Sequence, residues 1–552
     1  MAPRAPFPPE TFPAGFGAFY WRIQVRQNWF GLVCSSASPG YDLIGSIISS
    51  LGPGFNQRFP KEKIKSLPWS YLQTVCKRPI RQGKSPSYAN EEGLICIKPK
   101  NTNEMIVSLD ETSFINISTK DEVASQRLQR GDIVITRSGS GTIGRASIFL
   151  SDEEVYTNDH LFIVRTDSAD SHYTCSFLNT YWGQRLLEAG ISGSTGQLNL
   201  SNEHIKSITL FTPNELAQKY IGDKVRQAER LRAWAMILRF KAIASLNELL
   251  LNYSPTSIID LNSQKKLSLS VKVKSNEIDD RLDAWFYKPE FAKAARVIEE
   301  LKKSGFAIKR IAEIATVEYG FMPLEDYWND LEGHPFLRVT NIEDHLKLSD
   351  NDIKFVNPKE SNNEKFRLKE DDILIVQLGN STGRVAYISE KYTNWAYPSF
   401  SLRVRVTSSE FDSAFVALFL SEKLGQNQIN RTISITSVRP NTTKPAIESI
   451  SLPQFNLDDQ HVIGNFVRIA TIADELSSSL TRTAKLLVET LIEGQLSEAE
   501  LIAAEQALQA DNNQLDRQIL NRLKTDGIDG QGQALFSDLD QLYSLLQQAS
   551  HS

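Results

Sequence analysis

Leu128-Gln-Arg-Gly-Asp-Ile-Val-Ile-Thr-Arg137-Ser-Gly-Ser-Gly-Thr-Ile-Gly144-Arg145-Ala-Ser-Ile-Phe149 returns, degenerate but in order, as Leu368-Lys-Glu-Asp-Asp-Ile-Leu-Ile-Val-Gln377-Leu-Gly-Asn-Ser-Thr-Gly383-Arg384-Val-Ala-Tyr-Ile388. Asp132 and Asp372 stand 240 residues apart, too long a period for a solenoid unit, so each copy is read as a whole domain. The match extends both ways. Gly83 and Pro86 upstream correspond to Gly320 and Pro323, and Gln218, Ile221, Gly222 and Val225 downstream correspond to Gln460, Ile463, Gly464 and Val467. The offset drifts only from 237 to 242, as expected of one duplicated unit.

The quoted stretch reads as β-structure in each copy. Asp132 to Thr136 and Asp372 to Val376 are short β-branched runs introduced by acidic turns, and Arg145 to Phe149 and Arg384 to Ile388 are second runs after a Gly-rich connection. Leu161 to Arg165 and Phe400 to Val406 continue the sheet. Tyr173 to Leu187 and Ser413 to Leu424 read as short helices, leading to polar stretches at Gly190 to Leu200 and Asn430 to Pro445. Arg145 and Arg384, at equivalent strand starts, are read as structural partners of Asp132 and Asp372 or of similar acids.

Each copy then closes in a long helical pattern. Ile221, Val225, Ala228, Leu231, Ala235, Leu238, Ala242 and Leu249 keep mostly three- and four-residue spacing, as do Ile463, Val467, Ala473, Leu476, Leu480, Ala484, Leu487 and Leu491. So narrow a seam wants one partner helix, and the economical arrangement packs the two on each other, antiparallel. The expected class is α+β: two pseudo-repeated β-rich domains separated by a pair of long antiparallel coiled-coil-like helices. The expected division is an N-terminal extension (1–60), a first domain (61–213), a central helix (214–255), a second domain (276–456), a distal helix (457–510) and an acidic C-terminal tail (511–552).

Composition bounds the function. The 552 residues are 41% hydrophobic and 23% charged, enough to bury several cores. The four cysteines, Cys34, Cys76, Cys96 and Cys175, have no short metal-ligand spacing, and no run approaches the ~18 apolar residues of a membrane span. A reducing, cytoplasmic setting without membrane or structural zinc is expected. The net charge of −5 argues against a protein that holds nucleic acid by bulk charge. From Glu489 onward eleven acids face three bases, so the preceding 488 residues carry +3. Any polyanion must then be gripped by local patches, or the phosphate contacts shared with a partner.

The order Gly-Asp-Ile-Val-Ile-Thr-Arg-Ser-Gly, a Gly-Arg-Ala strand, Gly193-Ser-Thr-Gly-Gln-Leu-Asn-Leu-Ser201, an Ile-x-Leu-x-x-Pro strand and a long helix resembles the specificity subunit of Type I restriction-modification systems over roughly Ile64 to Gln506. The resemblance implies two target recognition domains, each reading one half of a split DNA sequence. The second copy departs from the pattern, with Leu378-Gly-Asn380 for Arg-Ser-Gly and Thr432 to Asn441 for the Gly-Ser-Thr-Gly-Gln-Leu-Asn loop. Different half-sites would demand such differences.

Two motifs invite other readings. Gly139-Ser-Gly141-Thr-Ile-Gly144 has dinucleotide-loop spacing, but the residues after Gly144 are β-branched and aromatic, with no helix whose N-terminus could hold a pyrophosphate. Ala396-Tyr397-Pro398-Ser399-Phe400 lacks the Asn/Asp and second Pro of an amino-methyltransferase motif, and no P-loop or zinc-protease motif is present. No catalytic residue, cofactor or metal is assigned to the chain.

There remains chemistry suited to base edges: Arg or Lys for guanine, Asn or Gln for adenine, hydroxyls for phosphate or either base. In the first copy the DNA-binding candidates are Lys84, Ser85, Tyr88, Lys98, Lys100, Asn101, Arg137, Ser138, Ser140, Asn158, His160, Ser194, Thr195 and Gln197. In the second they are Tyr327, Arg338, Thr340, Asn341, Gln377, Asn380, Tyr397, Thr436, Ser437, Arg439 and Asn441. The resemblance implies double-stranded DNA and two DNA methyltransferase subunits as partners, S-adenosylmethionine bound on those subunits, and room for a motor-nuclease subunit. The alternatives are a recognition subunit of another defence or modification complex, and a nucleotide-dependent enzyme built on the Gly139–Gly144 loop.

Overall fold

The computed structural model describes residues 67–102, 105–139, 141–193, 198–262, 272–273, 278, 281–328, 332–350, 352–361, 363–434 and 439–551. The N-terminal extension lies outside them. The chain divides into two units, residues 1–231 with 476–552, and residues 232–475, so both long helices run through both units.

Each copy is built on one antiparallel four-stranded sheet with the same order. In the first, Arg81–Gln82, Leu161–Val164, Ile133–Thr136 and Ala146–Ile148 lie side by side. In the second the order is Ala315–Tyr319, Ser401–Val406, Ile373–Val376 and Val385–Tyr387. The two quoted stretches are therefore strand-loop-strand units, as their β-branched runs predict. Ile133 to Thr136 and Ile373 to Val376 are buried throughout. The turn before each strand needs a left-handed residue. Gly131 supplies it in the first copy (φ 91°), and Asp371 in the second (φ 68°), a residue type that tolerates this region.

The partners expected for Asp132 and Asp372 are corrected by the structure. Asp132 is held by Arg165, with Nε on Oδ1 at 2.6 Å and Nη2 on Oδ2 at 2.5 Å, while the Gln129 amide donates to Oδ2 at 2.7 Å. Asp372 is held in the same way by Arg405, at 2.6 and 2.7 Å, with the Lys369 amide at 2.7 Å. Both carboxylates are buried, and the aspartate bonds raise each guanidinium's pKa above its ordinary value. Sheet pairing explains the choice. Ile133 and Ile373 lie opposite Val164 and Val404, so the arginine one residue further on meets the aspartate one residue before. Arg384 pairs with Asp344, one of the similar acids allowed for it.

The single helix expected after each sheet is two. Ser171–Leu178 is succeeded by Tyr181–Glu188, and Ser413–Ser421 by Lys423–Thr432. Gly183 and Gly425 permit the tight junctions, because a Cβ there would lie 2.2 Å from the carbonyls of Phe177 and Phe419. The N-cap residues Asp170 and Asp412 then tie each pair to a long helix. Gln218 Oε1 accepts the Asp170 amide and Gln460 Oε1 the Asp412 amide, each at 3.1 Å, while Arg226 and Arg468 pair with the two carboxylates. Gly222 and Gly464 leave room for those carboxylates.

The central helix spans Glu215–Tyr253 and the distal helix Leu457–Ile492. They run antiparallel: in the first unit Ser477 donates to the Ala228 carbonyl at 2.8 Å, and in the second Arg239 pairs with Asp474. The predicted seam is buried throughout the distal helix and as far as Ala242 in the central one. Beyond it Leu246 and Leu250 are buried in the core of the second unit with Ala294, Val297 and Leu301, and Leu249 packs half-buried against the same core.

The distal helix, expected to reach residue 510, ends at Ile492 and is followed by a separate helix, Glu498–Gln509, and the segment expected to be an acidic tail, 511–552, is folded. Helices Glu498–Gln509, Gln514–Arg522 and Leu539–Ser550 surround a hairpin of Leu523–Lys524 and Gly527–Ile528. In the first unit this module covers the start of the central helix. Lys224, fully buried, meets Asp516 Oδ1 at 2.6 Å, and Tyr220 and Tyr543 donate to the same carboxylate at 2.5 Å. Burial works against the Asp516 carboxylate, yet Lys224 and the two phenols hold its pKa below the ordinary range.

Candidate nucleic-acid interface

Three segments meet at one end of the first copy's sheet. The Arg137 amide donates to the His160 carbonyl at 2.8 Å, the Leu200 amide donates to the Arg137 carbonyl at 2.9 Å, and Ser138 bridges to Asn199. Ser138 Oγ lies 2.6 Å from His160 Nδ1. Arg137, Ser138 and His160 are thus gathered with the hairpin of Ile191–Ser192 and Asn199–Leu200. Ser140, Ser194, Thr195 and Gln197 lie outside the described residues.

The second copy repeats the arrangement with other side chains. The Gln377 amide donates to the Phe400 carbonyl at 2.8 Å, and the Thr442 amide to the Gln377 carbonyl at 3.0 Å. Leu378 bridges to Asn441, and the Gly379 amide donates to the Pro440 carbonyl at 3.1 Å. Gln377, exposed Asn380, exposed Arg439 and half-buried Asn441 are thereby brought together. Thr436 and Ser437 lie outside the described residues. Phe400 and Asn199 enter as members that loop chemistry alone did not single out. The 240-residue offset from His160 points to Phe400, whereas Asn199 is recognisable only once its bridge is known.

A second cluster flanks the first in copy one. Gly83 packs against the Asn158 carbonyl, placing exposed Lys84 and Ser85 beside the Asn158 to His160 turn. Lys98 Nζ sits 3.9 Å over the Tyr88 ring, a cation–π contact. Burial raises the pKa of the Tyr88 phenol, and a hydrogen bond with Asn158 opposes that shift. Lys100 is exposed and pairs with Glu111 at 3.4 Å.

Four candidates serve the scaffold instead. Asn101 and Asn341 are buried, and each spends its amide on its own turn. Asn101 Oδ1 accepts the Lys98 amide at 3.0 Å and Nδ2 donates to the Asp110 carbonyl at 2.9 Å. Asn341 does the same with the Arg338 amide at 2.9 Å and the Ser349 carbonyl at 3.0 Å. Asn158 is buried and accepts the His160 amide. Tyr397 is fully buried, its hydroxyl donating to the Lys365 carbonyl at 3.2 Å. None of these four presents a free edge to a base. Arg338 is committed to Asp352 at 2.8 Å, while Thr340 and Tyr327 are exposed away from the three-segment cluster's backbone contacts.

The glycines of the Gly139–Gly144 loop make a turn rather than a phosphate cradle. Gly139, Gly141 and Gly144 all have positive φ, and the chain enters the strand Ala146–Ile148 immediately, with no helix N-terminus to face an anion. Gly379 and Gly383 repeat the left-handed positions.

Residues 74–233 and 303–481, which hold both sheets and both three-segment clusters, match the family model described as the Type I restriction modification DNA specificity domain. The chain belongs to this family. It is a DNA specificity subunit of the Type I restriction-modification kind, with two copies of the family's domain. Similar solved structures include the Type I restriction-modification S subunit from M. genitalium, at 15% identity over 78% of this chain and 97% of that one, TM-score 0.38. Another is the HsdS subunit from Thermoanaerobacter tengcongensis, at 14% identity over 78% and 97%, TM-score 0.25. A third, from a study of complex assembly and conformational transition of the type I R-M system, is 14% identical over 82% and 98%, TM-score 0.25. No curated protein matches the chain. Among the described residues no helix of this specificity subunit is long and apolar enough to cross a membrane.

Proposed function

We propose that each copy reads one half of a bipartite double-stranded DNA target through its three-segment cluster. The observation that carries this is one backbone platform offering different side chains. Arg137, Ser138 and His160 project from the positions taken by Gln377, Leu378 and Phe400 in the second copy, where Asn380, Arg439 and Asn441 complete the set. Arginine suits guanine O6 and N7, and glutamine or asparagine suits adenine N6 and N7. Lys84, Ser85, Tyr88, Lys98 and Lys100 are assigned to phosphate and flanking contacts of the first half-site.

The chain itself carries no catalysis and holds no cofactor in this reading. Two methyltransferase subunits, each with its own S-adenosylmethionine, dock on the long helices, and a motor-nuclease subunit can join them. Met236, Ile237 and Phe240 support the docking: they lie on one helix face and remain 52%, 40% and 65% exposed, a patch that favours a protein partner. Such partners would also supply the phosphate contacts that a net charge of −5 withholds. Binding of the assembled complex to duplexes altered in one half-site provides the test. Arg137→Ala should lose discrimination in one half and Arg439→Ala in the other; loss of both halves by either variant contradicts the reading. Phe240→Glu should prevent co-purification with the methyltransferase while leaving the chain folded.

A further inference from the structure

The helix Lys423–Thr432 ends where the second copy's reading segment begins, and at that end the Ile433 amide donates to the Asn430 carbonyl at 3.2 Å. A strap from before the second sheet supplies further donors. Arg281 Nη1 donates to the carbonyls of Arg431 and Thr432 at 3.5 and 3.1 Å, and Nη2 to that of Ile433 at 3.4 Å. Trp285 Nε1 donates to the Asn430 carbonyl at 2.7 Å. Four successive carbonyls, 430 to 433, are thus capped by two side chains some 150 residues away in sequence.

The strap is itself held. Asp283 grips Arg281 in bidentate fashion at 2.7 and 3.0 Å, Tyr287 donates to the Arg281 carbonyl at 2.5 Å, and Lys288 lies 3.5 Å over the Trp285 ring. The Phe286 ring makes cation–π contacts with the guanidinium groups of both Arg281, at 5.0 Å, and Arg431, at 4.0 Å. On the other side of the capped carbonyls the chain is fixed to the reading platform. Thr432 Oγ1 meets Thr442 Oγ1 at 3.0 Å, and the Ser434 amide donates to the Asn441 carbonyl at 2.9 Å.

The first copy does this differently. Its helix Tyr181–Glu188 receives His204 Nε2 on the Leu186 carbonyl at 2.7 Å, from a short helix just after the reading hairpin. A single imidazole contact tolerates more movement than a planar guanidinium fork spread over three carbonyls.

We propose that Arg281, Asp283 and Trp285 form a positioning latch that fixes Ile433 and, next to it, Ser434, which pairs with Asn441, and so sets the stringency of second half-site recognition. The latch touches no base in this proposal; it acts by holding Arg439 and Asn441 in register. The proposal rests on the reading of that segment as DNA-contacting. Its test uses the full chain assembled with its methyltransferase, and measures binding to duplexes carrying each single base-pair change in either half-site. Arg281→Gln and, separately, Trp285→Phe should reduce discrimination at the second half-site about tenfold, leave first half-site discrimination within twofold, and leave the melting temperature of the complex nearly unchanged. Arg281→Lys, which keeps the charge but not the fork, should fall between Arg281→Gln and wild type. Folded variants with wild-type discrimination, or with equal loss at both halves, overturn the latch. In the same panel Arg439→Ala and Asn441→Ala report on the underlying reading: if they still act on the second half-site while the latch variants do not, only the latch is wrong. If neither set acts there, the 433–441 segment is not a reader and the latch falls with it. Should Arg281→Gln fail to fold, Trp285→Phe, which removes one donor and keeps an aromatic ring, still decides.

Discussion

The two recognition copies differ least where side chains bond to backbone or to each other, and most where side chains point out of the platform. Asp132–Arg165 and Asp372–Arg405 agree to within 0.2 Å in both contacts. Asp170, Gln218 and Arg226 reappear as Asp412, Gln460 and Arg468 with the same bonds. Arg137, Ser138 and His160, by contrast, become Gln377, Leu378 and Phe400 while the amide and carbonyl bonds beneath them are retained. Duplication kept the frame, and the divergence is concentrated in the side chains that the frame displays.

The largest expected effect comes from breaking that frame in one copy. Arg405→Ala would leave Asp372 charged, buried and unpaired, a change that costs about 3–5 kcal/mol. Hydrogen exchange should show protection lost in Ile373–Val376 and retained in Ile133–Thr136, with Arg165→Ala giving the converse. Loss in both copies from either change would mean that they do not fold as separate sheets.

A smaller effect separates the copies by pH. Glu475, on the distal helix, is half-buried and accepts a hydrogen bond from Ser389 Oγ at 2.5 Å; the aligned position on the central helix is Ala233. Burial pushes the Glu475 carboxyl up to about 7, Lys391 and the serine oppose this, and Asp350 and Asp474 reinforce it. A raised pKa means that the stabilisation is fully present below about 4.5 and is lost as pH rises through 7, a contribution on the order of 3 kcal/mol. Melting temperatures should fall between pH 4.5 and pH 7 in wild type, and much less in Glu475→Gln. An identical pH dependence in that variant contradicts the assignment.

Smaller still is the turn shared by Asn101 and Asn341. Asn341→Ala removes two hydrogen bonds to backbone and should cost about 1–2 kcal/mol of stability in the second copy, with Asn101→Ala doing the same in the first. Neither should alter which base pairs are preferred among molecules that remain folded. A shift in sequence preference would return these residues to the set of readers.

Much of the architecture is legible in the sequence because repetition is a statement about architecture. The duplicated Gly-Asp-Ile stretch points to both central hairpins, and the 3.5-residue spacing to the paired helices up to Ala242. Partner choice is not legible. Arg145 and Arg165 are both arginines near Asp132, and only sheet register selects the second. Asn101, Asn341, Asn158 and Tyr397 have the chemistry of readers, but their depth depends on packing by distant strands. The C-terminal module is hidden by its charge: eleven acids from Glu489 onward draw attention away from Leu501, Ile519, Leu520, Leu542 and Leu545, which form its buried side.

The central claim, one half-site per copy, is tested most directly by sequencing the modified bases in cells that carry the wild-type subunit, Arg137→Gln or Gln377→Arg, each variant giving one copy the residue of the other. The expected result is a two-part modified sequence whose spacer stays fixed, changed in one half by Arg137→Gln and in the opposite half by Gln377→Arg. Both substitutions altering the same half, or either altering both, would contradict it.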